Sequence, residues 1–130
     1  MEEDLDFQIR FFEDLVEDDE DFVDAVIPLA DAYTRKWWFE KGLRLDKKLA
    51  LLKPDDACVF YNLGCSYALL NQEEKAVEAL DKALNLGYRD LEWMEKDPDL
   101  AGLRKAAGYK DLVRRFFSEA GEDTPELNNS

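Results

Sequence analysis

The sequence predicts an all-α chain assembled from repeated pairs of antiparallel helices. Three observations lead there. Apolar residues recur at helical spacing along most of the chain, turn-forming Pro54, Asn71 and Gly87 separate the periodic stretches, and one spacing pattern returns after 34 residues. From Phe60 the pattern reads Phe60-x2-Leu63-Gly64-x2-Tyr67, then Ala76-x3-Leu80-x2-Ala83. Subtracting 34 gives Val26, Leu29, Ala30 and Tyr33, then Gly42, Asp46 and Leu49, with Pro54 closing the unit. A further subtraction gives Gln8, Phe12 and Leu15, so the first helix reads as the second half of an incomplete unit.

Each element follows from local signals. Asp4 to Val16 carries Leu5, Ile9, Phe12, Leu15 and Val16 on one face, with acids opposite, and is the first helix. Acidic Glu17 to Asp21 makes a turn, and Phe22 to Arg35 is the second helix, in which Pro28 removes a hydrogen bond and predicts a kink or an early break. Phe39 to Leu52 is the third, closed by Pro54; Asp55 or Asp56 caps the fourth, which runs to about Leu70. Asn71 either takes a left-handed turn or caps the fifth helix with Glu74 three residues on, and that helix ends near Gly87. Asp90 to Lys96 is a short helix. Asp97-Pro98 is a cap followed by a first-turn proline, opening another that reaches about Lys105 and stops before Gly108. Tyr109 to Ala120 is a last amphipathic helix, and 121–130 is a polar, flexible tail.

The pattern from Phe60 to Ala83 resembles the tetratricopeptide repeat, W-x2-L-G-x2-Y…A-x3-F. The resemblance implies a right-handed α-solenoid of about seven helices in a single domain over 1–120: a partial repeat at 4–20, repeats at about 23–56 and 57–90, and a degenerate cap at 91–120. Gly87-Tyr88-Arg89-Asp90, Trp93, Asp97-Pro98-Asp99-Leu100 and Leu103-Arg104 are similar to the broken closing unit of many bacterial arrays. Departures from the family pattern are Asp46 in an aromatic slot, Gly42 in an alanine slot and Tyr88 where a closing proline is usual. Small Gly64 and Ala30 stand where paired helices must approach closely, and Tyr67 and Tyr33 fill the space one turn on.

Composition narrows the function classes. No basic segment followed by an apolar one marks a signal peptide, and the longest charge-free run, Ala57 to Gln72, falls short of the roughly 18 apolar residues of a membrane span. A cytoplasmic protein is expected. Cys58 and Cys65 lie about 10.5 Å apart along a helix, too far for a disulfide. There is no histidine, the commonest metal ligand and general base, so neither a metal site nor a cofactor is expected. Twelve acids against Arg10 in residues 1 to 24 carry -11 of the net charge of -14. Such a surface repels nucleic acid and suits either a solubility cap or docking of a basic protein.

No nucleophile and base pair, phosphate-binding glycine loop or metal spacing occurs, so no catalytic residue is expected. The resemblance implies instead a surface that binds a partner protein or peptide along the first helix of each unit. That concave face would carry Asp24, Ile27, Asp31, Thr34 and Arg35 from one repeat and Cys58, Tyr61, Cys65, Ala68 and Leu69 from the next. Members that grip a C-terminal carboxylate do so with Lys and Asn; here Ile27 with Asp31 and Tyr61 with Cys65 stand in those places, so carboxylate capture is not expected. A mixed groove with Asp24 and Asp31 favours an apolar segment carrying Lys or Arg. Trp37 and Trp38 are surplus to the repeat and form a second candidate surface, an exposed aromatic patch. Besides this non-enzymatic interaction module, the alternatives are a self-associating scaffold, forming a homodimer, and the regulatory subunit of an enzyme complex.

Overall fold

The structure, a computed structural model, describes residues 2–118. The expected tail at 121–130 and the expected end of the last helix at 119–120 lie outside the described residues. Within them the chain is all-helical: α1 (Glu2–Asp18), α2 (Val23–Arg35), α3 (Phe39–Leu52), α4 (Ala57–Leu69), α5 (Glu73–Asn85), α6 (Leu91–Met94), 3-10 turns at Pro98–Leu100 and Leu103–Lys105, then α7 (Ala107–Val113), which widens into a π turn over Arg114–Ser118. Each of the first four helices packs on the next, and α5 packs on α7. No helix among them is long and apolar enough to cross a membrane.

The caps explain most boundaries. Asp56 accepts from the Cys58 and Val59 amides and starts α4; Asp90 accepts from the Trp93 amide and starts α6; Asp97 accepts from the Asp99 amide and starts the first 3-10 turn. Pro28 does not break α2, which runs through it. The carbonyl that loses its partner belongs to Asp24, an exposed first-turn residue.

Three helices end in the same turn. The residue after the C-cap lies at positive φ, and the amide after it reaches five residues back: Trp38 to Tyr33, Gln72 to Tyr67 and Tyr88 to Ala83, at 2.9, 2.9 and 3.0 Å. This is the Schellman arrangement, which satisfies carbonyls that a helix end leaves open. The left-handed residues are Trp37 (φ 67°), Asn71 (φ 61°) and Gly87 (φ 113°). Gly and Asn are the usual choices, whereas the Cβ of Trp37 costs on the order of 1–2 kcal/mol there.

The core runs through the seams between neighbouring helices. Leu5 and Ile9 of α1 meet Leu29, Ala32 and Tyr33 of α2; Val26, Ala30, Leu49 and Val59 join α2, α3 and α4. The largest cluster unites α4 and α5 with the C-terminal elements, through Leu80, Leu84, Met94, Leu100 and Leu112. Two glycines set the helix spacing. A Cβ on Gly42 would lie 2.8 Å from Thr34 Oγ1, and one on Gly64 would lie 2.8 Å from Leu80 Cγ and 3.3 Å from the Ala76 carbonyl. Gly42 is therefore the residue that lets α3 close on α2, as Gly64 lets α5 close on α4.

Gly64→Leu should overpack the α4 and α5 contact and cost roughly 1–3 kcal/mol or more. Chemical denaturation checks it: a midpoint equal to that of the parent contradicts the close approach.

Candidate functional site

Two helical stripes converge on one cavity of about 410 Å³. Ile27, Asp31 and Thr34 follow one another by about a turn on α2, and Cys58, Asn62 and Cys65 do the same on α4. Between them α3 contributes Asp46 and Leu49, and Asp99 enters from the first 3-10 turn. Among the residues expected on a concave face, the structure thus brings together Ile27, Asp31, Thr34, Cys58 and Cys65.

Asp24, Arg35, Tyr61, Ala68 and Leu69 lie outside that lining. Asp24 and Arg35 are exposed, with Arg35 pairing to Asp31 at 3.9 Å, and Ala68 packs against the α4 and α5 core. Tyr61 differs most from the expectation because the C-terminal elements bury it. Its ring stacks on Tyr88 at 4.3 Å and 11°, and its hydroxyl donates to Asp97 Oδ2 at 2.5 Å. Burial first, then the Cys65 thiol and the Asp97 carboxylate, push the Tyr61 hydroxyl well up and keep it a donor.

Sequence reasoning missed Asn62, Ser66, Asp46 and Asp99. Asn62 lies on the same stripe as Cys58 and can be found by adding four. Asp46, in sequence only a departure in an aromatic slot, is 6% exposed and accepts from Ser66 Oγ at 2.5 Å. Burial pushes its carboxyl up to about 6 from an ordinary 3.8; the Ser66 bond works against this and the charge of Asp31 adds to it. Asp99 is raised by burial, then by Asp97 and Asp31. The Cys65 thiol is raised by burial, then by Asp97 and Asp99, so it is a poor nucleophile.

Cys65, Asp97 and Asp99 bring three donor atoms within 4.8 Å of one another, a convergence that the absence of histidine did not foresee. Asp97 is already engaged within the protein. Asp97 Oδ2 accepts from Tyr61 and from the Cys65 thiol, the latter at 3.7 Å, while Oδ1 accepts from the Asp99 amide at 3.0 Å. The cluster ties the C-terminal elements to α4.

The aromatic patch has two unlike halves. Trp37 is 79% exposed and stacks on Phe39 at 6.0 Å, whereas Trp38 lies beside Tyr33 with the Lys36 and Lys41 ammonium groups over its ring at 5.6 and 5.0 Å. Phe7 and Phe11 of α1 are a further exposed pair, stacked at 6.3 Å.

No protein-family model matches the chain. Over 64 residues it is 41% identical to a chloroplastic protein of Arabidopsis thaliana, a match that covers 48% of this chain and 19% of that protein. The chain therefore spans about a fifth of the length of the relative it matches.

Asp46 makes stability fall as pH rises. Its folded value of about 6 exceeds the unfolded 3.8, so between these the folded state holds a proton that the unfolded state has lost, and the full penalty is present above pH 6. Asp46→Asn removes the charge and keeps an acceptor for Ser66. The variant should be more stable than the parent above pH 6, by up to about 3 kcal/mol, and converge with it near pH 4. Denaturation at both ends of the window checks this; a difference independent of pH contradicts it.

Proposed function

We propose that this chain is a tetratricopeptide-type module, a right-handed α-solenoid without chemistry of its own, that holds a segment of another protein along the cavity between α2 and α4. The observation that carries the reading is the convergence on one cavity of stripes from two helices whose units are offset by 34 residues. The walls mix apolar Ile27, Leu49 and Val59 with carboxylates, which suits an amphipathic segment. Because the walls are packed helices, with Gly42 setting the approach of α3 to α2, the surface is preorganised and the ordering cost falls on the partner alone. The acidic first 24 residues add long-range attraction for a basic partner, which raises the association rate more than the affinity.

Exposed Phe7, Phe11 and Trp37 favour a second reading, a scaffold that pairs with its own copy. The proposed compartment is the cytoplasm, while the name of the plant relative favours a plastid; imaging a tagged chain in its host separates the two.

A photo-crosslinking residue at Asn62 should label one discrete protein in host extract, and the same residue at Glu78, away from the cavity, should not. Filling the cavity with Asn62→Trp should weaken capture of that protein at least about tenfold, or about 1.4 kcal/mol, with unchanged helical circular dichroism. Equal labelling from both positions contradicts the reading. Sedimentation as a dimer that Phe11→Ser or Trp37→Ser dissolves favours the scaffold.

A further inference from the structure

We infer that the cavity is a socket for the ammonium group of a lysine side chain on the bound segment, with Asp46 as its counter-ion. The inference rests on the segment-binding reading and names the chemistry that the segment brings.

Asp46 is the starting point. It lies 6% exposed at the cavity wall, one carboxylate oxygen is held by Ser66, and the other has no hydrogen-bond partner among the described residues. A buried carboxylate with an open oxygen is costly unless something donates to it. The cavity lining supplies no cationic donor. Asp31 of α2, Asp56 at the start of α4 and Asp99 of the first 3-10 turn face the same space, and no lysine or arginine lines it. Asp31 and Asp56 have cations on their outer sides, Arg35 at 3.9 Å and Lys53 at 3.6 Å, but Asp46 and Asp99 have no ion pair among the described residues. The field inside the cavity is therefore negative, with Asp46 and Asp99 left uncompensated by any ion pair among the described residues.

The shape selects lysine. Ile27, Leu49 and Val59 offer an apolar path for a four-carbon stem, with the head delivered to the carboxylate. A single open oxygen on Asp46 is a point acceptor. Guanidinium gains most from two parallel bonds to one carboxylate, an arrangement that the Ser66 bond pre-empts, whereas an ammonium group needs no fork. A hard divalent cation asks for six or more oxygen ligands, more than this site frees.

Proton linkage gives the inference a signature. Ammonium binding requires the ionised carboxylate, and Asp46 ionises only through about pH 6, because burial and the charge of Asp31 hold its proton. Asp99, raised by burial and by its neighbours Asp97 and Asp31, works in the same sense. Of the other titratable groups lining the cavity, Cys65 stays a neutral thiol. Affinity should thus rise about tenfold from pH 5 to pH 7.

The test uses the full chain, isotopically labelled for nuclear magnetic resonance, and Nα-acetyl-lysine methylamide as the probe. Saturable shifts should centre on the Asp31, Asp46 and Ser66 amides, weaken about tenfold at pH 5 and vanish in Asp46→Asn, while Asp24→Asn leaves them unchanged. The ε-acetylated probe should be silent, the arginine counterpart weaker, and calcium or magnesium chloride should not move the same amides. Absence of saturable shifts overturns the inference, as does an equal response to the ε-acetylated probe or an undiminished one in Asp46→Asn. Shifts produced by the metal salts alone overturn it in favour of a cation site. If the lysine probe fails while Asn62→Trp still abolishes capture of the crosslinked protein, the socket falls and the segment-binding reading stands.

Discussion

The carboxylate of Asp97 pins the elements C-terminal to α5 onto α4. It is 4% exposed and takes three donors from two directions: the Tyr61 hydroxyl and Cys65 thiol from α4, and the Asp99 amide from its own turn. Arg104 fastens the same turn by donating to the carbonyls of Met94 and Asp97 at 2.8 and 2.9 Å. Removing a partner from such a buried group costs about 1–3 kcal/mol, and here the cost falls on one junction. The junction also places Asp99 at the cavity, so the cap that covers Tyr61 supplies one of the cavity's acids.

The opposite wall depends on a different constraint, helix spacing. Gly42 permits an approach of α3 to α2, and Gly64 one of α5 to α4, that a methyl group would crowd, while across the seam of α3 and α4 Asp46 reaches Ser66 instead of solvent. A polar pair thus occupies the seam of α3 and α4 at that place. The bond leaves an open carboxylate oxygen at the cavity wall, so the compromise in packing is also the site's most distinctive chemical feature. Trp37 is the other compromise: in a left-handed position that Asn71 and Gly87 fill elsewhere in the chain, the largest side chain is held out into solvent.

Local signals are legible in the sequence and distant ones are not. α3 has the expected limits, Phe39 and Leu52, because Pro54 and the apolar period fix it from within. Asp97 caps where expected and Asp56, one of two candidates, caps α4, since capping needs only residues two or three positions on. The α2 stripe of Ile27, Asp31 and Thr34 is readable for the same reason, the α4 stripe only at Cys58 and Cys65. Tyr61 is not, because the group that buries it is 36 residues away and belongs to the cap. Nor is Asp46, whose partner Ser66 lies 20 residues on and carries no periodic signal. The apolar period predicts a uniform last helix, yet it widens into a π turn at Arg114, where Arg89 and Arg115 both lie over the Phe116 ring at 5.5 and 5.4 Å.

The most direct test of the Asp97 junction is hydrogen exchange of Tyr61→Phe, which removes one hydroxyl and leaves the ring free to stack on Tyr88. The account predicts that amides of 91–113 lose protection together, by an amount corresponding to about 1–3 kcal/mol, while those of α2 and α3 keep theirs. Protection lost evenly along the chain, or unchanged in the cap, would contradict it.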